Sequence, residues 1–490
     1  MIGDQADVPP AALPLLGYAP ALHPRALGDP SFRQDLGVRY AYVVGAMANG
    51  ITSVEMVRAA GRSGMVGFFG AGGLSLDQVA HAIDELQAES PSFPFGFNLI
   101  HSPNDPKLEW AVVELYLRRN ITLVSASAFL ALTEPLVFYR VKGIRRSSDG
   151  RIVCPNRVVA KVSRVEVARK FFAPPPQKIL DRLVQQGKIT QQEADLARYV
   201  PMAQDITAEA DSGGHTDNRP ALTLLPTFLE LRDTSQAQFK YATPLRVGLA
   251  GGIATPDAAA AAFAMGAAYI LTGSINQPCV EADTSSTVKK MLTQAEQADV
   301  IMAPAADMFE LGAKVQVLKR GTMFAMRGAK LYELYRNSDS YEEIPSDIRA
   351  GIERDLLRAT FEQTWRKTRD YFLECDPGQV DRAEADPKHK MALVFRSYLG
   401  LSSIWAKTGA PERRMDYQIW CGPAMGAFNA WARGSFLQEA DQRRTAEVAM
   451  NLLYGAACLT RCHWLRTQGV FLPPMEIRPL PLAEIEEYFT

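Results

Sequence analysis

The 490-residue sequence has almost no net charge and few cysteines or histidines, and each shortage argues against a class of protein. A formal net charge of −1 argues against nucleic acid as the main partner, because such proteins carry strongly basic surfaces. Six scattered cysteines form no disulfide framework and fit a reducing compartment. The six histidines show no metal-ligand spacing such as HxH or HxxxH, so no metal site is predicted.

Long apolar runs and a secretory leader are also missing. No run reaches the roughly 20 apolar residues that a membrane-spanning helix needs, and residues 1–30 lack a basic segment followed by an apolar block. We therefore expect a cytoplasmic protein with no membrane partner. Cys458 and Cys462 lie four residues apart beside His463, but a single pair is a weak metal signal, and packing in a helix is the preferred interpretation.

What the sequence does contain is a regular alternation of apolar strands and helices. Strands are predicted at residues 40–47, 65–69, 93–100, 121–126, 158–162 and 202–208, then from 246 and from 268 up to glycine turns. Strands that are apolar along their whole length predict a parallel sheet buried on both faces. Eight such units in about 240 residues match a (β/α)8 TIM barrel of the α/β class. A doubly wound sheet is the alternative, but its phosphate glycines belong near the first strand.

The chain divides into three predicted parts. Six prolines predict an extended or irregular N-terminal arm at residues 1–38. The barrel takes residues 39–280, with a hairpin or loop at 135–157 and a helical insertion at about 173–199. Residues 281–490 are predicted to form an α-helical C-terminal domain. Its helices are expected at 285–298, 308–318, 328–336, 348–371, 388–399, 425–436 and 445–465.

Two glycine turns one βα unit apart predict a phosphate site. Gly251 and Gly252 end the seventh strand, and Gly273 and Ser274 end the eighth. Glycines let a ligand approach bare backbone amides, and amides at turns and helix starts favour anions. Phosphates commonly bind after strands 7 and 8 of such barrels. The alternative is that these glycines only make tight turns.

The other strand ends favour a flat organic cofactor over hydrolytic chemistry. They offer no carboxylate pair across the cleft, as a glycosidase needs. Flavin mononucleotide fits: Ala46 and Met47 would form a small-residue wall for its ring, and Asn98 would bond the ring's polar edge. Lys161 would place a cation near the N1/O2 side, where reduced flavin gathers negative charge. Lys161 is equally compatible with an ion pair, and Asn98 with tying down a loop.

A glycine-rich segment after the sixth strand presents His215 above the predicted barrel. Its imidazole would donate a hydrogen bond or a proton to substrate, although a loop histidine without that role is the alternative. Asn49, Asp217, Asn218 and Arg219 are predicted substrate contacts. Arg219 would hold an anionic group or else pair with Asp217.

The motifs resemble a known superfamily. Gly45-Ala-Met-Ala-Asn-Gly-Ile, Pro94-Phe-Gly-Phe-Asn-Leu, Ala210-Asp-Ser-Gly-Gly-His, Ala250-Gly-Gly-Ile and Thr272-Gly-Ser resemble the nitronate monooxygenase and flavin-dependent enoyl-ACP reductase superfamily. The insertion, the segment 212–220 and the helical C-terminal half resemble a narrower group, the PfaD-type trans-acting enoyl reductases. The superfamily's Glu-Ala-Gly-Gly-His stands here as Glu209-Ala-Asp-Ser-Gly-Gly-His215, with two additional residues.

This resemblance implies a function. It implies reduction of the 2,3-double bond of an enoyl thioester on acyl carrier protein, for a polyketide or polyunsaturated fatty acid synthase. NADPH would reduce the flavin, which would pass hydride to the β-carbon. The acidic carrier implies a basic docking face, for which the candidates are Lys314, Lys319 and Arg320, or Arg366, Lys367 and Arg369. A homodimer is one of the oligomeric states left open. The alternatives are a nitronate monooxygenase-like flavin oxidase and a non-catalytic docking component of a synthase.

Overall fold

Eight parallel strands close into a barrel in which the first strand pairs with both the second and the eighth. The computed structural model describes residues 15–89, 92–102 and 105–488. In chain order the barrel strands are Tyr42–Val44, Val66–Phe69, Phe95–Ile100, Leu123–Ser127, Arg157–Val162, Asp205–Glu209, Arg246–Ala250 and Ile270–Thr272. Most of their side chains are buried. The predicted TIM barrel is confirmed.

Helices surround the barrel and begin where the sequence provides caps. Those that follow the first seven strands are Val54–Arg62, Leu76–Gln87, Pro106–Arg118, Glu134–Val141, Val165–Phe172, Ala221–Phe239 and Pro256–Ala264. The Ser53 hydroxyl accepts from the backbone N–H of Met56, and Ser75 forms a reciprocal capping box with Gln78. The predicted insertion is present as Gln177–Gln185 and Gln191–Ala197.

One barrel helix contradicts the prediction. Residues 135–157 were expected to form a hairpin or loop, but Glu134–Val141 is helical, and only Arg145–Arg146 and Ile152–Val153 form a hairpin. Every residue from 135 to 141 is buried. A helix without a polar face shows no amphipathic period, so the usual sequence signal is absent.

The N-terminal part is less irregular than its prolines suggested. It contains a 3₁₀ turn, Pro24–Ala26, and a helix, Pro30–Leu36. Proline is favourable at the first helical position, where no N–H is needed. The helix covers the amino-terminal end of the barrel, where Arg246 Nη1 donates to Asp35 Oδ2 at 2.7 Å and Phe32 stacks on Tyr269. Residues 1–14 of the predicted arm lie outside the described residues.

The C-terminal half contains a small sheet as well as helices. Val300–Pro304 and Lys314–Leu318 form an antiparallel hairpin, which Gly214–His215 extends to a third strand. The prediction of a helix at 308–318 is therefore wrong. The helices are Ser286–Thr293, Phe324–Asn337, Ser346–Gly351, Phe361–Cys375, Pro377–Ala385, Pro387–Thr408, Ala424–Ala432, Thr445–Thr467 and Leu482–Glu487. The expected helix at 348–371 is interrupted by a π-helical turn, Ile352–Leu357, and by Arg358 at φ 53°.

Two main hydrophobic clusters hold the C-terminal half. One gathers side chains between residues 303 and 399. The other is the barrel's own cluster, which includes Val448, Leu452 and Ala456 of helix Thr445–Thr467. The division at residue 280 stays a prediction. Within the described residues, no helix combines the length and apolarity that a bilayer span requires.

Candidate active site

A cavity of about 1690 Å³ opens at the carboxyl ends of the barrel strands. Loops of the barrel form one side, and helices Phe361–Cys375 and Pro387–Thr408 face them. The predicted site residues that line it are Ala46, Met47, Asn49, Asn98, Lys161, His215, Asp217, Gly251, Gly252, Gly273 and Ser274. Asn218 and Arg219 are not among the lining residues, and their contact with substrate stays a prediction.

The two glycine turns are neighbours at this cavity. Leu249 lies opposite Ile270 in the register of the seventh and eighth strands, so both turns leave the barrel side by side. Gly252 has a φ of 75°, and a Cβ built on Gly252 or Gly273 would meet no atom within 4 Å. Both positions therefore leave open space beside bare backbone, as a bound anion requires.

Gly251 has a different role from Gly252. Its φ is 84°, and a Cβ there would lie 2.5 Å from the carbonyl carbon of Ala210. Gly251 is therefore needed for close packing against the loop after the sixth strand. Ser274 begins a 3₁₀ turn, and its hydroxyl accepts from the backbone N–H of Gly422 at 3.1 Å.

The segment Gly45–Met47, which is predicted to face the flavin ring, has no bulky branched side chain and is held on both sides. Thr52 donates to the carbonyl of Gly45 and accepts from the N–H of Met47, both at 2.8 Å. A Cβ on Gly45 would lie 2.6 Å from the side chain of Leu271. The backbone before Ala46 is therefore pressed against the eighth strand.

Asn98 and Asn49 both use their amides to hold neighbouring elements. Asn98 Nδ2 donates to the carbonyl of Ser125 at 3.0 Å. Asn49 adopts a left-handed backbone, with a φ of 58°, and its Nδ2 donates to Ser403 Oγ at 3.2 Å. Lys407 donates to the carbonyl of Asn49 at 2.5 Å. Asn49 thus ties the barrel mouth to helix Pro387–Thr408.

Lys161 is engaged in an ion pair at the cavity wall. Its Nζ donates to Glu209 Oε1 at 2.6 Å, and Ser212 Oγ donates to the same oxygen at 3.0 Å. This is the ion pair that the sequence left as one alternative. Because Lys161 also lines the cavity, the pair stands within reach of a bound ligand.

The histidine loop, residues 210–219, is held in place by the antiparallel hairpin of strands Val300–Pro304 and Lys314–Leu318. Gly214 and His215 pair with Gln316 and Val315 as a short antiparallel strand. Gln316 Nε2 donates to Asp211 Oδ1 and to the carbonyl of Ser212, both at 2.8 Å. Asp211 and Ser212 are the two additional residues of the motif, so the added length is used to dock the loop on this hairpin.

His215 has a carboxylate partner that sequence reasoning missed. Its Nε2 lies 3.1 Å from Asp307 Oδ1, and both residues line the cavity. Asp307 and Gln316 are some 100 residues away in sequence, and a loop aspartate carries no local signal. The only hint was one polar residue, Gln316, within the apolar run 315–318.

Asp217 is paired, but not with Arg219. It accepts from Arg164 Nε and Nη2, both at 3.0 Å, and from Ser163 Oγ at 2.6 Å. The hydrogen bond from Arg164 lowers the pKa of Asp217 against the opposing effect of burial. Asn218 donates to Asp211 at 2.7 Å. The side chains at 217 and 218 therefore shape the histidine loop.

Two family models match different parts of the chain. Residues 32–334 match the family model described as nitronate monooxygenase. Residues 338–417 match the inserted helical domain of [acyl-carrier-protein] S-malonyltransferase. The chain belongs to the nitronate monooxygenase family.

A solved structure narrows the position of this chain within the family. The enoyl reductase domain of MlnA from the macrolactin biosynthesis cluster of Bacillus amyloliquefaciens is 38% identical, with a TM-score of 0.86. The match covers 90% of this chain and 99% of that one. FabK from Thermotoga maritima, at 18% identity and a TM-score of 0.50, shares the fold alone. Within the family, the chain stands with the PfaD-type enoyl reductases, as the motif resemblance predicted.

Longer relatives occur in synthase systems. A polyunsaturated fatty acid synthase subunit from Thraustochytrium sp. is 46% identical over 90% of this chain. Polyketide biosynthesis protein PksE of Bacillus subtilis is 45% identical over 92%. The chain spans only 30% and 58% of the length of these two relatives.

Proposed function

We propose that the chain is an FMN-dependent, NADPH-driven enoyl reductase that acts in trans on enoyl thioesters carried by acyl carrier protein. The observation that carries the proposal is the pair of open glycine turns on adjacent strands, with His215 above the same cavity. The 38% identity to the MlnA enoyl reductase domain, over 99% of its length, supports this reaction over other flavin chemistry.

The residues present fit FMN in shape and in charge. Gly252 and Gly273 leave room for a phosphate beside backbone amides, and the Gly45–Met47 wall presents no bulky branched side chain. When bound, the flavin would supply the hydride that the β-carbon accepts. His215 would donate to the substrate, and Asp307 would hold the imidazole in place by accepting from the nitrogen it contacts.

Of the six basic residues suggested for docking the carrier protein, two line the cavity and four do not. Lys314 and Lys367 line it, and no hydrogen bond or ion pair with another described residue engages either ammonium group. Arg320 instead pairs with Asp299 at 3.0 Å, and Arg369 with Glu384 at 3.4 Å. We propose that Lys314 and Lys367 meet the phosphate of the carrier's pantetheine arm.

Anaerobic titration tests the function. The purified protein should hold close to one FMN per chain, lose its yellow colour with NADPH, and regain it when an enoyl thioester is added. Oxygen uptake with a nitroalkane, without NADPH consumption, would instead assign a nitronate monooxygenase. Carrier binding without flavin or turnover would assign a docking component of a synthase.

The lysine contact has its own test. Lys367→Ala should raise KM for the carrier-bound substrate about two- to fivefold, the range of an exposed ion pair. It should leave KM for an N-acetylcysteamine thioester, which has no phosphate, unchanged. Arg366→Ala, one residue away and outside the cavity lining, is the matched control. An equal effect on both substrates would refute the phosphate contact.

A further inference from the structure

The cavity is larger than one cofactor requires and is partly lined by exposed apolar side chains. Its volume of about 1690 Å³ exceeds the range of about 300–1,000 Å³ that is usual for a ligand site. Five exposed large apolar side chains line it: Leu130, Leu311, Tyr371, Leu401 and Ile404. Exposed apolar side chains gathered in one concavity mark a surface that a ligand covers.

Helix Pro387–Thr408 supplies one continuous wall of this region. Leu393, Ser397, Gly400, Leu401 and Ile404 line the cavity at helical spacing. Arg396 lines it beside them, with its guanidinium donating to Glu310. Gly400 lies in the interior of this helix, where glycine is the weakest helix former after proline. A Cβ there would meet no atom within 4 Å. No packing contact explains the missing side chain, and the open space beside it belongs to the cavity.

We propose that this wall binds the acyl chain of the substrate, and that Gly400 keeps the space that a medium or long chain needs. The inference rests on the proposed reductase function and specifies its substrate class. The wall belongs to the same cavity as His215 and the glycine turns. An acyl chain lying on the wall can therefore be part of the same molecule as the enoyl group that reacts near His215. The facing helix, Phe361–Cys375, lines the cavity with Thr364, Lys367 and Thr368 in its first half and with Tyr371 and Phe372 in its second. Its first half is therefore a more polar route, suited to the pantetheine arm.

Gly400→Leu tests the proposal because it fills the space without straining the backbone. For the dodecenoyl thioester of N-acetylcysteamine, kcat/KM should fall at least about tenfold, as when a hydrophobic pocket loses room for a few methylenes. For the butenoyl thioester it should stay within about twofold of wild type. The saturated dodecanoyl and butanoyl thioesters bind without turnover, so their Kd can be measured by calorimetry. In Gly400→Leu the Kd should rise for the dodecanoyl thioester and stay unchanged for the butanoyl thioester.

Gly351→Leu is the matched control. Gly351 is also helical, with a φ of −66° and no atom within 4 Å of a built Cβ, but it does not line the cavity. Gly351→Leu should change kcat/KM for neither the dodecenoyl nor the butenoyl thioester. Equal losses for both chain lengths in Gly400→Leu, or none, would overturn the acyl-chain assignment. If the wild type reduces neither substrate, the reductase function fails, while the calorimetric split still decides the role of the wall.

Discussion

At the scale of single residues, the main finding concerns how His215 is held. The two residues added to its motif left its position uncertain from the sequence. In the fold, Asp211 and Ser212 accept from Gln316, and Asp307 contacts the imidazole. The histidine is therefore presented by a strand and a carboxylate, and not by a free glycine loop.

Removing the imidazole should affect chemistry more than cofactor binding. We expect His215→Ala to lower kcat by about 10²–10⁴-fold, the range for a general acid, while most of the FMN is retained. Asp307→Asn should lower kcat less, because the imidazole remains. The double variant should be no worse than His215→Ala alone, since the two residues act as one unit.

Steady-state kinetics and the flavin absorbance of the same preparations measure both effects. Equal losses of FMN and of kcat in His215→Ala would show that the histidine has a structural role. Additive losses in the double variant would show that Asp307 acts independently of His215.

The sequence predicted the position at the cavity of those residues whose signal is local. Glycines at strand ends and a histidine after Gly-Gly can be recognised from their neighbours alone, and their positions follow from the barrel. The partners of Asp217 and His215 could not be predicted, because Arg164 and Asp307 are brought to the site only by the tertiary fold.

At the scale of elements, Glu310 joins the hairpin loop to helix Pro387–Thr408. It contacts His389 Nδ1 at 2.8 Å and accepts from Arg396 Nη1 at 3.3 Å. Arg396 Nε also donates to the carbonyl of Ala306 at 2.9 Å, directly before Asp307. The hydrogen bond with His389 lowers the pKa of Glu310, against the opposing effect of burial.

Glu310→Gln should reduce stability in a pH-dependent way. Because the folded pKa is lowered, the carboxylate stabilises the fold fully above its unfolded value of about 4.3. That contribution is lost as the pH falls through the folded pKa. At pH 7 we expect a loss of about 1–3 kcal/mol in the free energy of unfolding, and near pH 3 a much smaller difference from wild type.

Urea unfolding across this pH range measures the loss. Glu333→Gln, an exposed glutamate on helix Phe324–Asn337, should leave stability nearly unchanged at every pH. A constant difference between Glu310→Gln and wild type from pH 3 to pH 7 would contradict the account.

Prediction of the elements succeeded where one helix face is exposed. The helical insertion expected at about 173–199 is observed as Gln177–Gln185 and Gln191–Ala197, and the helix expected at 328–336 lies within Phe324–Asn337. Glu134–Val141 was missed because no face of it meets water. The strand Lys314–Leu318 was mistaken for helix because its pairing with Val300–Pro304 and Gly214–His215 is a tertiary contact.

At the scale of the whole molecule, helix Thr445–Thr467 supports the barrel beside the Gly251–Gly252 turn. Thr445–Thr467 packs on Pro256–Ala264, the helix that begins after the Gly251–Gly252 turn. A Cβ on Gly455 would lie 2.6 Å from the ring of Pro256, so the helices touch closely there. This contact between distant parts of the chain carries no periodic signal in the sequence.

Gly455→Val should therefore weaken both the fold and cofactor binding. Overpacking at this crossing should cost about 1–3 kcal/mol, measured by thermal or urea unfolding. The displaced helix start should also raise the Kd for FMN. His463→Val, at an exposed position of the same helix, is the control for inserting valine. Lost stability with an unchanged Kd for FMN would show that this helix does not support the phosphate site.

The central claim is that the two adjacent glycine turns hold the phosphate of FMN, and the FMN content of Gly252→Asp tests it most directly. Gly434→Asp is the matched control, since Gly434 has a φ of 77° and equally open surroundings but lies outside the cavity lining. We predict that the wild type and Gly434→Asp retain FMN, while Gly252→Asp loses most of it through charge repulsion and occlusion. Full FMN occupancy in a folded Gly252→Asp variant would contradict the account.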